Sequence, residues 1–308
     1  MAENPIRLGT RGSALALAQA RSVAARLADT EIVEITTSGD RGSGPGDKSR
    51  FTKEIEEALL EGRIDIAIHS AKDVPAEIPD GLAISGVPAR EDPRDAYVGD
   101  ARSLEEVPEG ARIGTSSLRR RSQLLALRPD LELIELRGNV DTRLSRLDAG
   151  DYDGLVLAAA GLRRLGRADR IAFEFEPAVL TPSPGQGALA LETRREEDQG
   201  AGEVAAGLGD ERAEAELRCE RFAVGELEAS CHTPVGVLAR LDGARLSVRG
   251  FCGLPDGSEW IRDQIDGDES GTHEPEALGR LLAQRMKGAG ADELLVRAAR
   301  MVPSRGAS

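Results

Sequence analysis

One apolar run ends in a group of residues that could do acid–base or anion-binding chemistry. Within five positions the chain delivers His69, Ser70, Lys72 and Asp73, and Pro75 follows, where helix is disfavoured. Polar side chains at the end of a buried strand are candidates for a functional site. The alternative is a surface charge pair of Lys72 and Asp73 beside a structural histidine, and residue type alone favours that alternative for His69.

Arginines are concentrated in the middle of the chain. Between residues 112 and 167 there are eleven arginines against seven Asp and Glu, a balance of +4 in a chain whose net charge is −14. A strand there runs into the hydroxyls around Ser117 and then into a helix start with Arg119 and Arg120. Backbone N–H groups, the helix dipole and guanidinium groups would converge on an anion at this point. The alternative is solvated arginines on a helix surface, and the spacing leaves both interpretations open.

Cys231 lies in a segment that could present a thiol. The small residues Ala229 and Ser230 precede it and Pro234 follows, as in a tight loop. Cysteine is more often buried and inert, and by residue type alone that alternative is favoured. The neighbouring His232 does not make a protease-like pair with it, because adjacent side chains of an extended segment point apart.

The order of elements predicts an α/β fold that positions these residues. The first 70 residues alternate strand and helix, with Ser13 capping the first helix, which favours a parallel sheet with helices on both faces. A second unit of this kind begins after 87–95. The predicted strands are 6–9, 31–37, 64–68, 112–114, 131–136 and 154–158, and the predicted helices are 14–28, 51–60, 118–127 and 140–149.

The pattern changes after residue 236. The segment 236–251 alternates like antiparallel strands, with Asp242-Gly243 as a hairpin turn. Helical patterns cover 200–216, 276–287 and 292–301. The Gly- and Ser-rich stretch 38–50 is expected to be a mobile loop.

Composition limits the class of protein. A chain of 308 residues with 40% hydrophobic and 31% charged residues is globular and long enough for two or three domains. The charge of −14 argues against nucleic-acid and anionic-membrane partners. No segment approaches the roughly 18–20 apolar residues of a membrane span, and no secretory signal is recognisable. Three cysteines without zinc-ligand spacing predict a reduced cytoplasmic protein with no metal site. Having four lysines among forty basic residues suggests salt adaptation.

Seven regions of the chain together resemble the porphobilinogen deaminase family. They are RLGTRGS with LALAQA (7–13, 15–20), AIHSAKDVP (67–75), IGTSSLRRRSQL (113–124), LRGNVDTRLSRLD (136–148), AAAGLRRLG (158–166), PSPGQGALALE (182–192) and CHTPVG (231–236). The sequence departs from the family pattern at 47–50, where a Gly-Lys-Gly is common, and at 229–230, where Gly-Gly is common.

The resemblance implies a fold class and a domain division. We expect two periplasmic-binding-protein-like α/β lobes with a cleft between them, plus a small C-terminal α/β domain with an antiparallel sheet. Domain 1 would comprise 1–88 and 182–206, domain 2 residues 89–181, and domain 3 residues 207–308. A monomer is expected.

The resemblance also implies a cofactor and a reaction. A dipyrromethane would be bound through a thioether to Cys231, and four porphobilinogen molecules would be condensed on it to hydroxymethylbilane with loss of ammonia. Asp73 would be the catalytic residue, and Lys48 and Arg50 would belong to a lid. Cofactor carboxylates would be held by Lys72, Ser117, Arg119, Arg120 and Arg143. The substrate and the growing chain would be held by Arg11, Ser13, Gln19, Arg137 and Arg164.

Two other functions remain open at this point. One is a non-catalytic module that binds a carboxylate reversibly, which would need neither Asp73 nor a reactive Cys231. The other is a transferase of the same pathway that uses the fold without a covalent cofactor. Replacing Cys231 would separate both from the covalent mechanism.

Overall fold

The computed structural model describes residues 5–40, 51–195, 199–229, 233–267 and 274–301. The described residues fall into two compact units. The first comprises Met1–Glu91 with Gly187–Leu217, and the second comprises Asp92–Gln186 with Arg218–Ser308. The predicted fold class is confirmed, because each unit contains an α/β lobe and the second also contains a small antiparallel sheet. The three-domain boundaries stay a prediction.

The elements are numbered along the chain. The described strands are β1 (Ile6–Thr10), β2 (Thr30–Glu34), β3 (Ile66–Ser70), β4 (Leu82–Gly86), β5 (Asp95–Gly99), β6 (Arg112–Gly114), β7 (Glu132–Ile134), β8 (Gly154–Ala158), β9 (Phe173–Glu174), β10 (Leu189–Arg194), β11 (Val235–Asp242), β12 (Arg245–Gly253) and β13 (Trp260–Asp266). The described helices are α1 (Ala14–Ala24), α2 (Lys53–Leu60), α3 (Leu118–Leu127), α4 (Val140–Asp148), α5 (Ala159–Arg164), α6 (Gln199–Gly207), α7 (Glu211–Glu226), α8 (Pro275–Gly288) and α9 (Ala291–Met301).

The sheet of the first unit has the strand order β2-β1-β3-β10-β4. Strand β1 is parallel to β2 and β3, as predicted, but β10 is antiparallel to both β3 and β4. The sequence did not predict this antiparallel pairing, because a strand from much later in the chain lies between two strands of the N-terminal segment. Apolar side chains of α1 and α6 pack on one face, and those of α2 pack on the other.

The sheet of the second unit repeats this arrangement. Its order is β7-β6-β8-β5-β9, with β6 parallel to β7 and β8 and with β5 antiparallel to β8 and β9. Helices α3 and α4 contribute Leu124 and Leu144 to separate cores of this lobe. The sequence did not predict β5, whose first residue, Asp95, ends the stretch expected to precede the second unit; β5 is a buried strand between β8 and β9.

The second unit also contains the three-stranded antiparallel sheet β11-β12-β13. The predicted hairpin turn is confirmed, since Asp242 pairs with Arg245 and Gly243 has a φ of 58°. Apolar residues of the later part of α7, of α8 and of α9 cover one face of this sheet. The sheet buries Val237, Val248 and Ile265 there, as its alternating pattern requires.

Several predicted elements differ in their bounds. Helix α1 ends at Ala24 rather than at residue 28, and the helical region predicted over 200–216 is two helices, α6 and α7. Most of the predicted loop 38–50 lies outside the described residues. Among the residues that are described, no helix combines the length and the apolar character that a membrane crossing requires.

Candidate active site

In the first unit, Lys72 and Asp73 lie on a single 3₁₀ turn, Ala71–Asp73, directly after β3. The strand end is held from two sides. The Ala71 N–H donates to the Ala188 carbonyl at 3.0 Å, and Gln19 Nε2 donates to Ser70 Oγ at 2.9 Å. Both Lys72 and Asp73 are half-buried. A short turn on a fixed strand therefore holds the predicted catalytic carboxylate next to the predicted cofactor lysine.

His69 points into the core of the first unit, on the sheet face that packs against α2. Its Nε2 lies 3.1 Å from Glu192 Oε2, and both side chains are buried. The pKa of Glu56 on α2 is raised, chiefly by burial. The nearby carboxylate of Glu192 also raises this pKa, whereas His69 lowers it. The side chain of His69 is therefore a buried, paired histidine, as residue type suggested.

Arg11 and Ser13 follow β1, the parallel neighbour of β3. Ser13 caps α1, and its Oγ accepts a hydrogen bond from the Ala16 N–H at 3.3 Å. Arg11 forms an ion pair with Asp40 and stacks on the Phe51 ring, 4.3 Å from its centroid. Because β1 and β3 are parallel neighbours, these residues and the Ala71–Asp73 turn lie at the same edge of the sheet, where open α/β sheets bind ligands.

In the second unit, Arg119 and Arg120 lie in the first turn of α3 behind its N-cap residue, Ser117. Both guanidinium groups bind one carboxylate, that of Asp95 on β5. Arg119 Nη1 donates to Asp95 Oδ2 at 2.7 Å, and Arg120 Nη2 donates to Asp95 Oδ1 at 2.8 Å. The three side chains are buried, with exposed fractions of 4%, 8% and 0% for Arg119, Arg120 and Asp95. The alternative of solvated surface arginines is therefore wrong for this pair.

This cluster carries excess positive charge. Burial alone would raise the pKa of Asp95, but Arg119 and Arg120 hold it well below its ordinary value of 3.8, so the carboxyl stays ionised. Two guanidinium charges then face one carboxylate, which leaves one positive charge. Arg119 Nε is buried and has no hydrogen-bond partner among the described residues. A buried cation whose N–H donor makes no hydrogen bond within the described residues is suited to bind an anionic ligand.

The remaining predicted arginines follow the other strands of this sheet. Arg137 comes after β7, is exposed, and donates to Glu135 at 3.0 Å. Arg143 on α4 donates to the Gly138 carbonyl at 2.8 Å, and Arg164 is the last residue of α5, after β8. Since β6, β7 and β8 are parallel neighbours, all of these arginines follow carboxyl ends along one sheet edge.

Two descriptions of known protein families match this chain. Residues 6–201 match the family described as porphobilinogen deaminase, dipyromethane cofactor binding domain. Residues 215–288 match the family described as porphobilinogen deaminase, C-terminal domain. The chain belongs to the porphobilinogen deaminase family.

Individual relatives cover nearly the whole chain. The chain is 49% identical over 296 residues to the porphobilinogen deaminase of Thermus thermophilus, an alignment that covers 94% of this chain and 97% of the relative. It is 47% identical over 305 residues to the porphobilinogen deaminase of Deinococcus radiodurans, again with 94% and 97% covered. Among solved structures, the periplasmic VFT2 domain of Bordetella pertussis BvgS is 15% identical with a TM-score of 0.38, covering 66% of this chain and 86% of that one.

The structure fits the cofactor that the family description prints. A dipyrromethane with carboxylate side chains needs cations and N–H donors, and the Asp95 cluster supplies net positive charge in the second unit. Among the described residues, no group of three or more His, Cys, Asp or Glu side chains is arranged to bind a metal ion.

The sequence did not reveal several residues that surround the arginine pair. Asp95 is the foremost, and Gln186 donates to it at 3.0 Å. The Thr181 carbonyl accepts from Arg119 Nη1 at 2.7 Å and from Gln123 Nε2 at 3.0 Å. The motif PSPGQGALALE did not reveal that its glutamine, Gln186, binds the carboxylate that pairs with both arginines. No spacing rule could have linked them, because the contacts join distant parts of the chain.

Gly236 of the CHTPVG motif has a packing role that the sequence did not reveal. A Cβ at this position would lie 2.7 Å from the Thr181 carbonyl oxygen and 3.0 Å from that of Pro182. The Val237 N–H donates to the Pro182 carbonyl at 3.0 Å. The start of β11 therefore packs against the Thr181 carbonyl, which also accepts a hydrogen bond from Arg119.

Two of the three cysteines, Cys219 and Cys252, lie among the described residues. Cys231 lies outside the described residues, and so do Lys48 and Arg50, the predicted lid residues. Cys219 and Cys252 are buried. Burial raises the pKa of both thiols, that of Cys252 to about 12. Neither is suited to act as a nucleophile near neutral pH, because the thiolate is the reactive form.

Proposed function

We propose that the chain condenses four porphobilinogen molecules head to tail into hydroxymethylbilane, with loss of ammonia, on a dipyrromethane bound through a thioether to Cys231. Membership of the porphobilinogen deaminase family supports the reaction. The structural observation that carries the proposal is the buried cluster of Arg119, Arg120 and Asp95 with its one excess positive charge.

Cys231 is proposed as the attachment residue by elimination and by motif. The other two thiols are buried and have raised pKa values. Cys231 lies in the motif CHTPVG. The last residue of this motif, Gly236, lies near the start of β11 and packs against Thr181 and Pro182. The attached group supplies the free pyrrole carbon to which the first substrate unit is joined.

The arginines are proposed to bind the carboxylates of cofactor and substrate. Each pyrrole unit brings an acetate and a propionate, so elongation adds negative charge that must be compensated in a partly dehydrated site. Cofactor carboxylates are assigned to Lys72, Ser117, Arg119, Arg120 and Arg143. Substrate and growing chain are assigned to Arg11, Ser13, Gln19, Arg137 and Arg164. Lys48 and Arg50 are proposed to belong to a lid that excludes water.

Asp73 is proposed as the catalytic residue. Loss of ammonia from porphobilinogen leaves a positive charge that extends to the ring N–H of the substrate. A carboxylate hydrogen-bonded to that N–H stabilises the cation and can accept a proton. The turn Ala71–Asp73, held by Ala188 and supported by the Gln19–Ser70 hydrogen bond, keeps the backbone that carries Asp73 in a defined position.

The proposal includes a monomer in the cytoplasm that has neither a nucleic-acid nor a membrane partner. The net charge of −14 supports only the absence of nucleic-acid and membrane partners, because it repels phosphate backbones and anionic lipid surfaces.

The test is the intact mass of the full-length protein under denaturing conditions, before and after incubation with porphobilinogen. We expect a covalent excess equal to two condensed porphobilinogen units on the peptide that contains Cys231. Cys231→Ala should carry no excess and should form no hydroxymethylbilane. Cys219→Ala and Cys252→Ala are the matched controls and should both carry the excess.

Other results would contradict the proposal. A Cys231→Ala protein with normal turnover would exclude the covalent cofactor. A wild-type protein whose mass stays unmodified even after incubation would favour a module that binds carboxylates reversibly.

A further inference from the structure

We propose that Asp95 is the positioning residue for the arginine pair: it fixes both guanidinium groups and leaves one of their two charges for the ligand. This inference rests on the proposed function, because it takes Arg119 and Arg120 to bind cofactor carboxylates. Asp95 is suited to the role by its place in the fold. It is the first residue of β5, which is paired with β8 on one side and β9 on the other.

The hydrogen bonds around Asp95 determine the orientation of both arginines. Its Oδ1 accepts from Arg120 Nε at 3.0 Å, from Arg120 Nη2 at 2.8 Å and from Arg119 Nη2 at 3.2 Å, and its Oδ2 accepts from Arg119 Nη1 at 2.7 Å. Each guanidinium group thus makes two bonds to one carboxylate.

Backbone carbonyls and Gln186 complete the arrangement. Arg119 Nη1 also donates to the Thr181 carbonyl at 2.7 Å, and Arg120 Nη1 donates to the Val156 carbonyl at 2.8 Å. Gln186 Nε2 donates both to Asp95 Oδ1 and to the Pro93 carbonyl. The hydrogen bond from Gln186 holds Asp95 in place. Because each arginine also donates to a backbone carbonyl, neither guanidinium group can rotate without breaking a hydrogen bond to a buried acceptor. Arg119 Nε is left as a buried donor that no described residue accepts from.

The charge of the cluster explains why one carboxylate serves two arginines. Without Asp95, two like charges would be buried side by side with neutral acceptors alone, which is strongly unfavourable. A second carboxylate would cancel the remaining charge and with it the attraction for an anion. One carboxylate permits both arginines to be buried and keeps a net positive charge.

A purely structural counter-ion would behave differently from a positioning residue. Asp95→Glu keeps the negative charge but moves the carboxylate by one methylene group. If neutralising charge were the whole role, this variant would assemble its cofactor normally. If Asp95 positions the arginines, the donors are displaced by about 1 Å, a shift that can reduce rates by tenfold to a hundredfold.

The experiment measures how fast full-length protein, made without porphobilinogen, gains the mass of two condensed units when porphobilinogen is added. Wild type is compared with Asp95→Glu and with Asp266→Glu. Asp266 is the matched control, since it also pairs with an arginine, Arg245, but in the three-stranded sheet. We expect Asp95→Glu to fold and to gain mass about tenfold more slowly or worse, and Asp266→Glu to match wild type. Equal rates for Asp95→Glu and wild type would overturn the inference.

A second pair of variants covers the case in which Asp95→Glu does not fold. Arg120→Gln leaves the cluster with one positive and one negative charge, and Asp95→Asn/Arg120→Gln restores the wild-type balance of +1. Positioning predicts that the double variant assembles the cofactor at least about threefold more slowly than Arg120→Gln, since Arg119 then loses its anchor. A double variant that is as fast or faster would show that charge balance alone matters and would overturn the inference.

The wild-type protein separates the proposed function from the positioning role of Asp95. If wild type gains no mass, the proposed function is contradicted and this inference with it. If wild type gains mass and Asp95→Glu gains it equally fast, only the positioning role is contradicted.

Discussion

His69 on β3 and Glu192 on β10 form a buried pair across two antiparallel strands, with 3.1 Å between Nε2 and Oε2. Their side chains are 4% and 1% exposed. The other carboxylate oxygen of Glu192, Oε1, is buried and accepts no hydrogen bond from any described residue. The pair joins β10 to β3, the strand that leads into the Lys72–Asp73 turn. It therefore stabilises the strand that carries the candidate catalytic residue.

Breaking this pair is expected to destabilise the protein strongly. Glu192→Ala or His69→Ala leaves one buried polar group without its partner, and we expect a loss of about 3–5 kcal/mol in the free energy of unfolding, measured with urea. Arg63→Ala is the control, because Arg63 and Glu61 form an exposed pair and should contribute less than about 1 kcal/mol. Similar losses at both pairs would contradict the buried interaction.

Glu56 is expected to make stability depend on pH. Burial raises its pKa above the ordinary 4.5, and Glu192 adds to the effect, while Thr52 and His69 oppose it. The folded state therefore binds the proton more tightly than the unfolded state does. The free energy of unfolding should fall as the pH rises from about 4.5 through the folded pKa, and it should stay lower above it.

Glu56→Gln tests this dependence because it removes the titrating group and keeps the shape. Relative to wild type, the variant should gain stability between pH 4.5 and pH 8, followed by urea unfolding across that range. Glu57→Gln is the control on the same helix, where the side chain is half exposed. A difference between Glu56→Gln and wild type that does not change with pH would contradict the raised pKa.

Asp73→Asn is expected to separate catalysis from binding. The amide keeps the shape of the side chain but loses the charge that stabilises the substrate cation. The variant should fold and carry its cofactor by intact mass, while hydroxymethylbilane formation should fall by about 10²–10⁴-fold. Asp80→Asn, at an exposed position shortly after the same turn, should match wild type. Wild-type turnover in Asp73→Asn would assign catalysis to another residue.

Gly236→Ala is expected to disturb the start of β11. The new methyl group would meet the Thr181 carbonyl at 2.7 Å, so either the strand or the Thr181–Pro182 segment must move. We expect a loss of about 1–3 kcal/mol in urea unfolding and slower cofactor attachment. Gly225→Ala is the control, because nothing lies within 4 Å of its Cβ position and alanine favours the helix there. Equal stability of the two variants would contradict this contact.

Local structure was predictable because it depends on neighbouring residues. Ser13 and Ser117 were expected to begin helices, and each caps its helix with its own hydroxyl oxygen. The hairpin at Asp242-Gly243 followed from turn chemistry and alternation. The parallel order of β1, β2 and β3 followed from the strand–helix alternation, whereas the antiparallel β10 did not, because strand pairing across more than a hundred residues leaves no local pattern.

The sequence by itself determined the family, the fold class and the residue types available for anion binding, since seven motifs in order and an arginine-rich region in an acidic chain are properties of the string. Tertiary structure alone decided which charges meet. Asp95 reaches Arg119 and Arg120 because β5 is inserted antiparallel beside β8, and Gln186, 91 residues further along the chain, donates a hydrogen bond to Asp95. Long-range pairing depends on how strands pack, and burial then makes each such contact strong because water no longer competes for the charges.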